Sequence, residues 1–155
     1  MSAQPGNAGP GIRVPPPVWL AAVLAGAWVL DRLVHVEIGP PAPEAGIGLA
    51  FLAAGWLGWA LVTMLRARTD PRPHTEDAVL LTHGPFRFGR NPIYLGFLLL
   101  ATAAALAQGT LAFWLAVPAL HILLDRLVIA REEAYLAARF GEAYAAYAAR
   151  VRRWM

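Results

Sequence analysis

Residues 84–96 read Gly-Pro-Phe-Arg-Phe-Gly-Arg-Asn-Pro-Ile-Tyr-Leu-Gly. A polar, arginine-bearing segment here runs straight into an apolar one. Arg87 and Arg90 bring guanidinium groups to the mouth of that apolar run, and Asn91-Pro92 opens the helix that leaves it, since proline is tolerated in the first helical turn. A hydrogen-bonding cationic corner at the edge of a long apolar run suits capture of a charged small molecule beside lipid.

The rest of the chain supports the membrane setting. It has 155 residues, 58% of them hydrophobic, which is more apolar than a soluble domain of that size needs. The apolar residues come in blocks. Residues 14–30 and 45–65 carry no charged side chain, and residues 93–124 carry no Asp, Glu, Lys or Arg. About 20 apolar residues cross the roughly 30 Å of hydrocarbon as a helix. The block 93–124 is too long for one straight crossing. It reads as a helical hairpin turning at Gln108-Gly109-Thr110, with the second arm running on through Asp125 and Arg126 into Arg131. The expectation is an all-α integral membrane protein of about four transmembrane helices, ending in that hairpin and a cytosolic amphipathic helix.

Residues 1–13, rich in Gly and Pro, read as a flexible tail, and 14–155 as a single membrane-embedded domain. The first span reads as a retained anchor rather than a cleaved signal, because Trp28-Val29-Leu30 prolongs it past the small residues Ala25-Gly26-Ala27. In the second span Gly48, Gly55 and Gly58 read as points of close helix approach. The Asp70-Pro71-Arg72-Pro73 stretch reads as turn or extended chain. Leu136, Phe140, Tyr144 and Tyr147 recur at helical spacing and mark one face of the last helix.

All 13 basic residues are arginine. Residues 66–90 hold five arginines against three acids, and residues 125–155 hold six against four. The connection 31–44 has three acids against one arginine. The positive-inside rule then places both termini and the long loop in the cytoplasm, in a bacterial inner membrane. The same arginines flank apolar spans, so they speak for topology rather than nucleic acid. With no cysteine and with His35, His74, His83 and His121 scattered, no metal site is expected.

Arg131, Glu132 and Glu133 follow the last apolar run at the same expected depth as Arg87 and Arg90. Charges so near a bilayer are costly unless solvated, paired or functional. Such a mixed-sign cluster can hold a zwitterion, guanidinium on carboxylate and glutamate on ammonium or hydroxyl.

Gly84-Pro85-Phe86-Arg87 with Arg90-Asn91-Pro92-Ile93-Tyr94-Leu95-Gly96 resembles the Gly-Pro-Tyr-Arg…Arg-His-Pro-x-Tyr-x-Gly signature of isoprenylcysteine carboxyl methyltransferases, and membrane phospholipid methyltransferases carry a related pattern. Arg131-Glu132-Glu133…Leu136…Phe140-Gly141…Tyr144…Tyr147…Arg153-Trp154 is similar to the same family's C-terminal segment. The resemblance covers residues 81–154. It implies an S-adenosylmethionine-dependent membrane methyltransferase whose acceptor is hydrophobic or membrane-resident: an isoprenylcysteine-like carboxylate, a lipid amine or a small thiol. It implies that Arg90, Asn91, Tyr94, Glu132, Arg87 and His83 bind the cofactor, and that Glu133 and Arg131 stand nearest the chemistry. Asn91 takes the place of the family's histidine, an amide in place of a titratable ring. An NADPH-dependent membrane reductase or a non-enzymatic membrane subunit are the alternatives. The acceptor and the oligomeric state are not legible in the sequence.

Overall fold

The computed structural model describes residues 14–67 and 79–155. The expected tail 1–13, the Asp70-Pro71-Arg72-Pro73 turn and His74 lie outside the described residues. Helix α1 is Pro16–Leu33, α2 is Pro43–Arg66, α3 is Pro92–Gln108, α4 is Leu111–Leu123 and α5 is Ala130–Arg150. A 3-10 turn, Gly84–Arg87, precedes α3, and a π-helical segment, Leu124–Ile129, joins α4 to α5 without interruption. Among the described residues there is no strand, and a lone bridge pairs Glu37 with Thr110. The protein is an all-α membrane protein.

Proline opens α1, α2 and α3 at the first or second position, where its missing N–H costs no helical hydrogen bond. The expected hairpin is present. Helix α3 ends at Gly109, whose φ of 67° is the left-handed conformation glycine adopts freely. The connection after α1 lies over this turn: the Ile38 N–H donates to the Gly109 carbonyl at 3.0 Å and the Leu111 N–H to the Val36 carbonyl at 2.8 Å. One end of the bundle is thus closed by two loops that satisfy each other's backbone. The other end carries the 3-10 turn, the start of α3, and α5.

By length and apolarity three helices can cross a membrane: α1, α2 and the rod 111–150, whose crossing stretch ends by residue 130, with the charge-bearing residues 131–150 extending beyond it. The fourth expected span, α3, has 17 residues, about 26 Å at 1.5 Å per residue, at the short limit for a crossing. It lies at the centre, packed by α2 and α4 and touched by α1. A core of Tyr94, Phe97, Ala101, Leu120, Leu124, Val128 and Ile129 joins α3 to the rod.

The helix approaches differ from expectation. A Cβ placed on Gly48, Gly55 or Gly58 would meet nothing within 4 Å, so these three glycines hold no neighbour close. The close contact between α2 and α3 is made instead by Gly46, where a Cβ would lie 2.6 Å from the Ala103 carbonyl oxygen, and by Gly96, which faces the Leu57 side chain. The last helix departs as well. Gly141 has φ 50° and ψ −122° inside α5, a kink that breaks the straight face expected for Leu136, Phe140, Tyr144 and Tyr147. After it, Tyr144 and Tyr147 are buried, while Leu136 and Phe140 are only partly covered.

Gly46→Ala is expected to lower stability by about 1–3 kcal/mol through overpacking against backbone. Gly48→Ala, in open space, is expected to be neutral or slightly stabilising because alanine is the better helix former. Denaturant titration in detergent micelles distinguishes them, and equal losses in both would overturn the packing assignment.

Candidate functional site

Local chain rules build the site's first wall. Pro85 sits buried in the 3-10 turn, Gly89 and Arg90 form the bend after it, and Asn91-Pro92 starts α3. The indole N–H of Trp56 donates to the Pro92 carbonyl at 2.8 Å, tying this corner to α2. The second wall is the start of α5, one turn beyond the apolar end of the rod. The π segment sets its orientation. Widening a helical turn by one residue rotates the downstream residues by about 100°. Asp125 and Glu133, eight positions apart, then behave as though seven apart and fall within about 20° of one face.

The two walls meet. Arg90 Nη2 lies 2.9 Å from Glu133 Oε1, and both side chains are only 16% exposed. Arg90 Nη1 also donates to the Ala148 carbonyl at 3.3 Å. Tyr94, on the first turn of α3, donates its hydroxyl to Glu132 Oε1 at 2.6 Å. Arg90 and Tyr94 thus each hold one of the adjacent glutamates. Asn91 is buried and donates its amide to the Arg153 carbonyl at 2.9 Å.

Three expected members lie at the margin. Arg87 is exposed, with its guanidinium carbon 4.5 Å from the centre of the Phe88 ring. His83 is exposed at the start of the 3-10 turn, and Arg131 is exposed on α5. His121 is exposed too, with its ring 4.6 Å from that of Trp154, edge to face.

Two members escaped the sequence reading of the site. Arg153 forks onto Glu133, with Nε 3.2 Å from Oε1 and Nη2 2.5 Å from Oε2, and its Nη1 reaches both Asp125 oxygens at 3.2 Å. Asp125 is the second. A charge at the end of an apolar run was the available signal for it; for Arg153 it was the Arg-Trp pair in the C-terminal motif. Tyr147 supports the corner from α5 by donating to the Phe86 carbonyl at 2.6 Å. Burial pushes its phenol up to about 12, so it remains a donor across the neutral range.

Glu132 stands apart electrostatically. Burial pushes its carboxyl up to about 7, the neighbouring Glu133 charge adds to this, and the Tyr94 hydrogen bond opposes it. The arrangement thus places a carboxyl able to change charge near neutrality beside one clasped by two guanidinium groups. Arg90 Nε is buried with no hydrogen-bond partner. An orphaned guanidinium N–H at the centre of a site is costly, and a ligand's acceptor atom would satisfy it.

The phospholipid methyltransferase family model matches residues 47–143, well over half the chain. The chain belongs to the phospholipid methyltransferase family. Its matched region runs from α2 through both walls of the site and stops before the segment that carries Arg153. An uncharacterized protein of Haemophilus influenzae is 40% identical over 63 residues, 41% of this chain and the whole of that relative. No solved structure matches.

The raised Glu132 group gives a signed prediction. The folded protein holds this proton to a higher pH than the unfolded chain does. From about 4.5 to about 7 its contribution therefore makes stability fall as pH rises. Glu132→Gln is expected to flatten that part of the curve. Thermal midpoints across this range for both proteins test it, and parallel curves would refute the assignment.

Proposed function

We propose that this protein transfers a methyl group from S-adenosylmethionine to a hydrophobic or membrane-resident acceptor, in a site formed by Arg90, Asn91, Tyr94, Glu132 and Glu133. The observation that carries this reading is the meeting of the arginine corner with the twin glutamates. It comes in a chain of the phospholipid methyltransferase family.

The donor set suits a zwitterionic cofactor. Guanidinium N–H groups, including the orphaned Arg90 Nε, match a carboxylate. Glu132 and Glu133 match an ammonium and ribose hydroxyls. When bound, S-adenosylmethionine supplies an electrophilic methyl on a positively charged sulfur. The chain's own task is to orient and to exclude water, because in-line displacement needs alignment more than acid catalysis. Arg90, fixed by the Ala148 carbonyl and by Glu133, is pre-organised to bind. Glu132, held by a neutral phenol, is the group able to take a proton from an amine acceptor, or to remain charged beside a cation. Glu133 and Arg131 are proposed nearest the acceptor, with His83 and Arg87 at the entrance. The apolar flanks of α2 and α3 offer the acceptor a route from the bilayer. The arginine-rich end would face the cytoplasm of a bacterial inner membrane.

Isothermal titration of the detergent-solubilised protein with S-adenosylmethionine and with NADPH tests the reading against the reductase alternative. Binding of the first alone is expected. Arg90→Ala and Glu133→Ala are each expected to weaken it about 100-fold, on the order of 3 kcal/mol, while the thermal transition stays cooperative. Binding of NADPH alone, or of neither, would remove the proposal.

A further inference from the structure

Residues 151–155 leave α5 and run back across the mouth of α3, and the corner reads their backbone. The Arg90 N–H donates to the Arg152 carbonyl at 2.9 Å. The Asn91 amide donates to the Arg153 carbonyl at 2.9 Å. Gly89 lies against the Trp154 carbonyl so closely that a Cβ has no room there. Trp154 packs onto the core formed by α3 and the rod. Three consecutive residues, 89–91, are thus occupied with three consecutive carbonyls, 152–154.

The side chain between those carbonyls does something that the backbone contacts do not require. Arg153 joins Asp125 on the π segment to Glu133 on α5. Glu133 thereby has a guanidinium on each oxygen, Arg90 on Oε1 and the Arg153 fork across both. A carboxylate gripped this way has one available orientation, because a planar fork fixes both distance and plane.

We propose that Arg153 is a positioning residue: anchored on Asp125, it locks Glu133 onto Arg90, so that residues 151–155 form the wall that fixes the glutamate of the methyl-donor site. The inference rests on the reading given under Proposed function. It goes beyond the family match, which ends at residue 143. It also gives Asn91 a defined task, holding the Arg153 carbonyl so that the fork is aimed.

The test uses the full chain in detergent, with S-adenosylmethionine as the titrant. Arg153→Ala is expected to weaken donor binding about tenfold or more, and Arg153→Lys, which keeps charge but loses the fork, to fall between it and the parent. Gly46→Ala, destabilised at the far end of the bundle, is the control and is expected to bind normally. Parent-like affinity in Arg153→Ala overturns the proposal, as does an equal loss in Gly46→Ala, which would make the effect one of stability alone. A second measurement needs no ligand. Thermal midpoints of Asn91→Ala, Arg153→Ala and the double variant are compared, and a double variant melting no lower than the worse single one is expected, because both act through one segment. Additive shifts overturn the clasp. If the parent itself fails to bind the donor, the functional reading falls while this cycle still decides whether the clasp exists.

Discussion

The contact between Arg90 and Glu133 is the constraint on which the rest depends. These residues sit on separate elements, joined in sequence only through the whole α3–α4 hairpin. At 16% exposure for both side chains, the pair is drier than a surface ion pair worth a fraction of a kcal/mol. An ion pair of this kind is weak evidence for stability, since desolvation offsets attraction. Its consequence is geometric. Removing either partner leaves a partly buried charge, which penalises any closure of the hairpin that parts the two. Gly109 at the far end, with its left-handed φ, and the short α3 serve the closure that joins them.

Much of this architecture could be read from the residues. The charge-free blocks became helices, and Gln108-Gly109-Thr110 became the turn. The Asn91-Pro92 start of α3 and the pairing of its corner with Glu132 and Glu133 followed from the polarity of the flanks. What could not be read depends on three-dimensional register. The π segment has no sequence mark, yet it decides that Asp125 and Glu133 share a face. Gly141 was legible as a glycine but not as a kink, because glycine is also tolerated within helices. Gly48, Gly55 and Gly58 look like packing glycines, and Gly46 differs from them only in which side of α2 it occupies. In the sequence Arg153 is one of six arginines in residues 125–155. Only the folding back of residues 151–155 gives it two carboxylates.

The site also shows why a substitution of histidine by asparagine at position 91 is compatible with this geometry. What the position supplies here is an N–H donor toward a backbone carbonyl, 2.9 Å away. An amide and an imidazole can both supply one. The amide does so at every pH, so the hold on residue 153 does not vary with protonation as a ring's could. Titration near neutrality is displaced to Glu132, where burial rather than side-chain type sets the response.

Charge matching separates the two glutamates further. Asp125 and Glu133 are matched by Arg153 and Arg90 within one connected lattice. Glu132 instead meets the neutral hydroxyl of Tyr94. A ligand carboxylate on Arg90 would add one negative charge to this lattice, and a positive group beside Glu132 would offset it. On the proposed reading, this imbalance favours a ligand that carries positive charge on entry and leaves with less of it. A sulfonium donor does so on giving up its methyl, since the charge on sulfur is lost with the bond. The polarity of the site is then set by which glutamate the second arginine reaches, and that choice is made by the segment that carries Arg153.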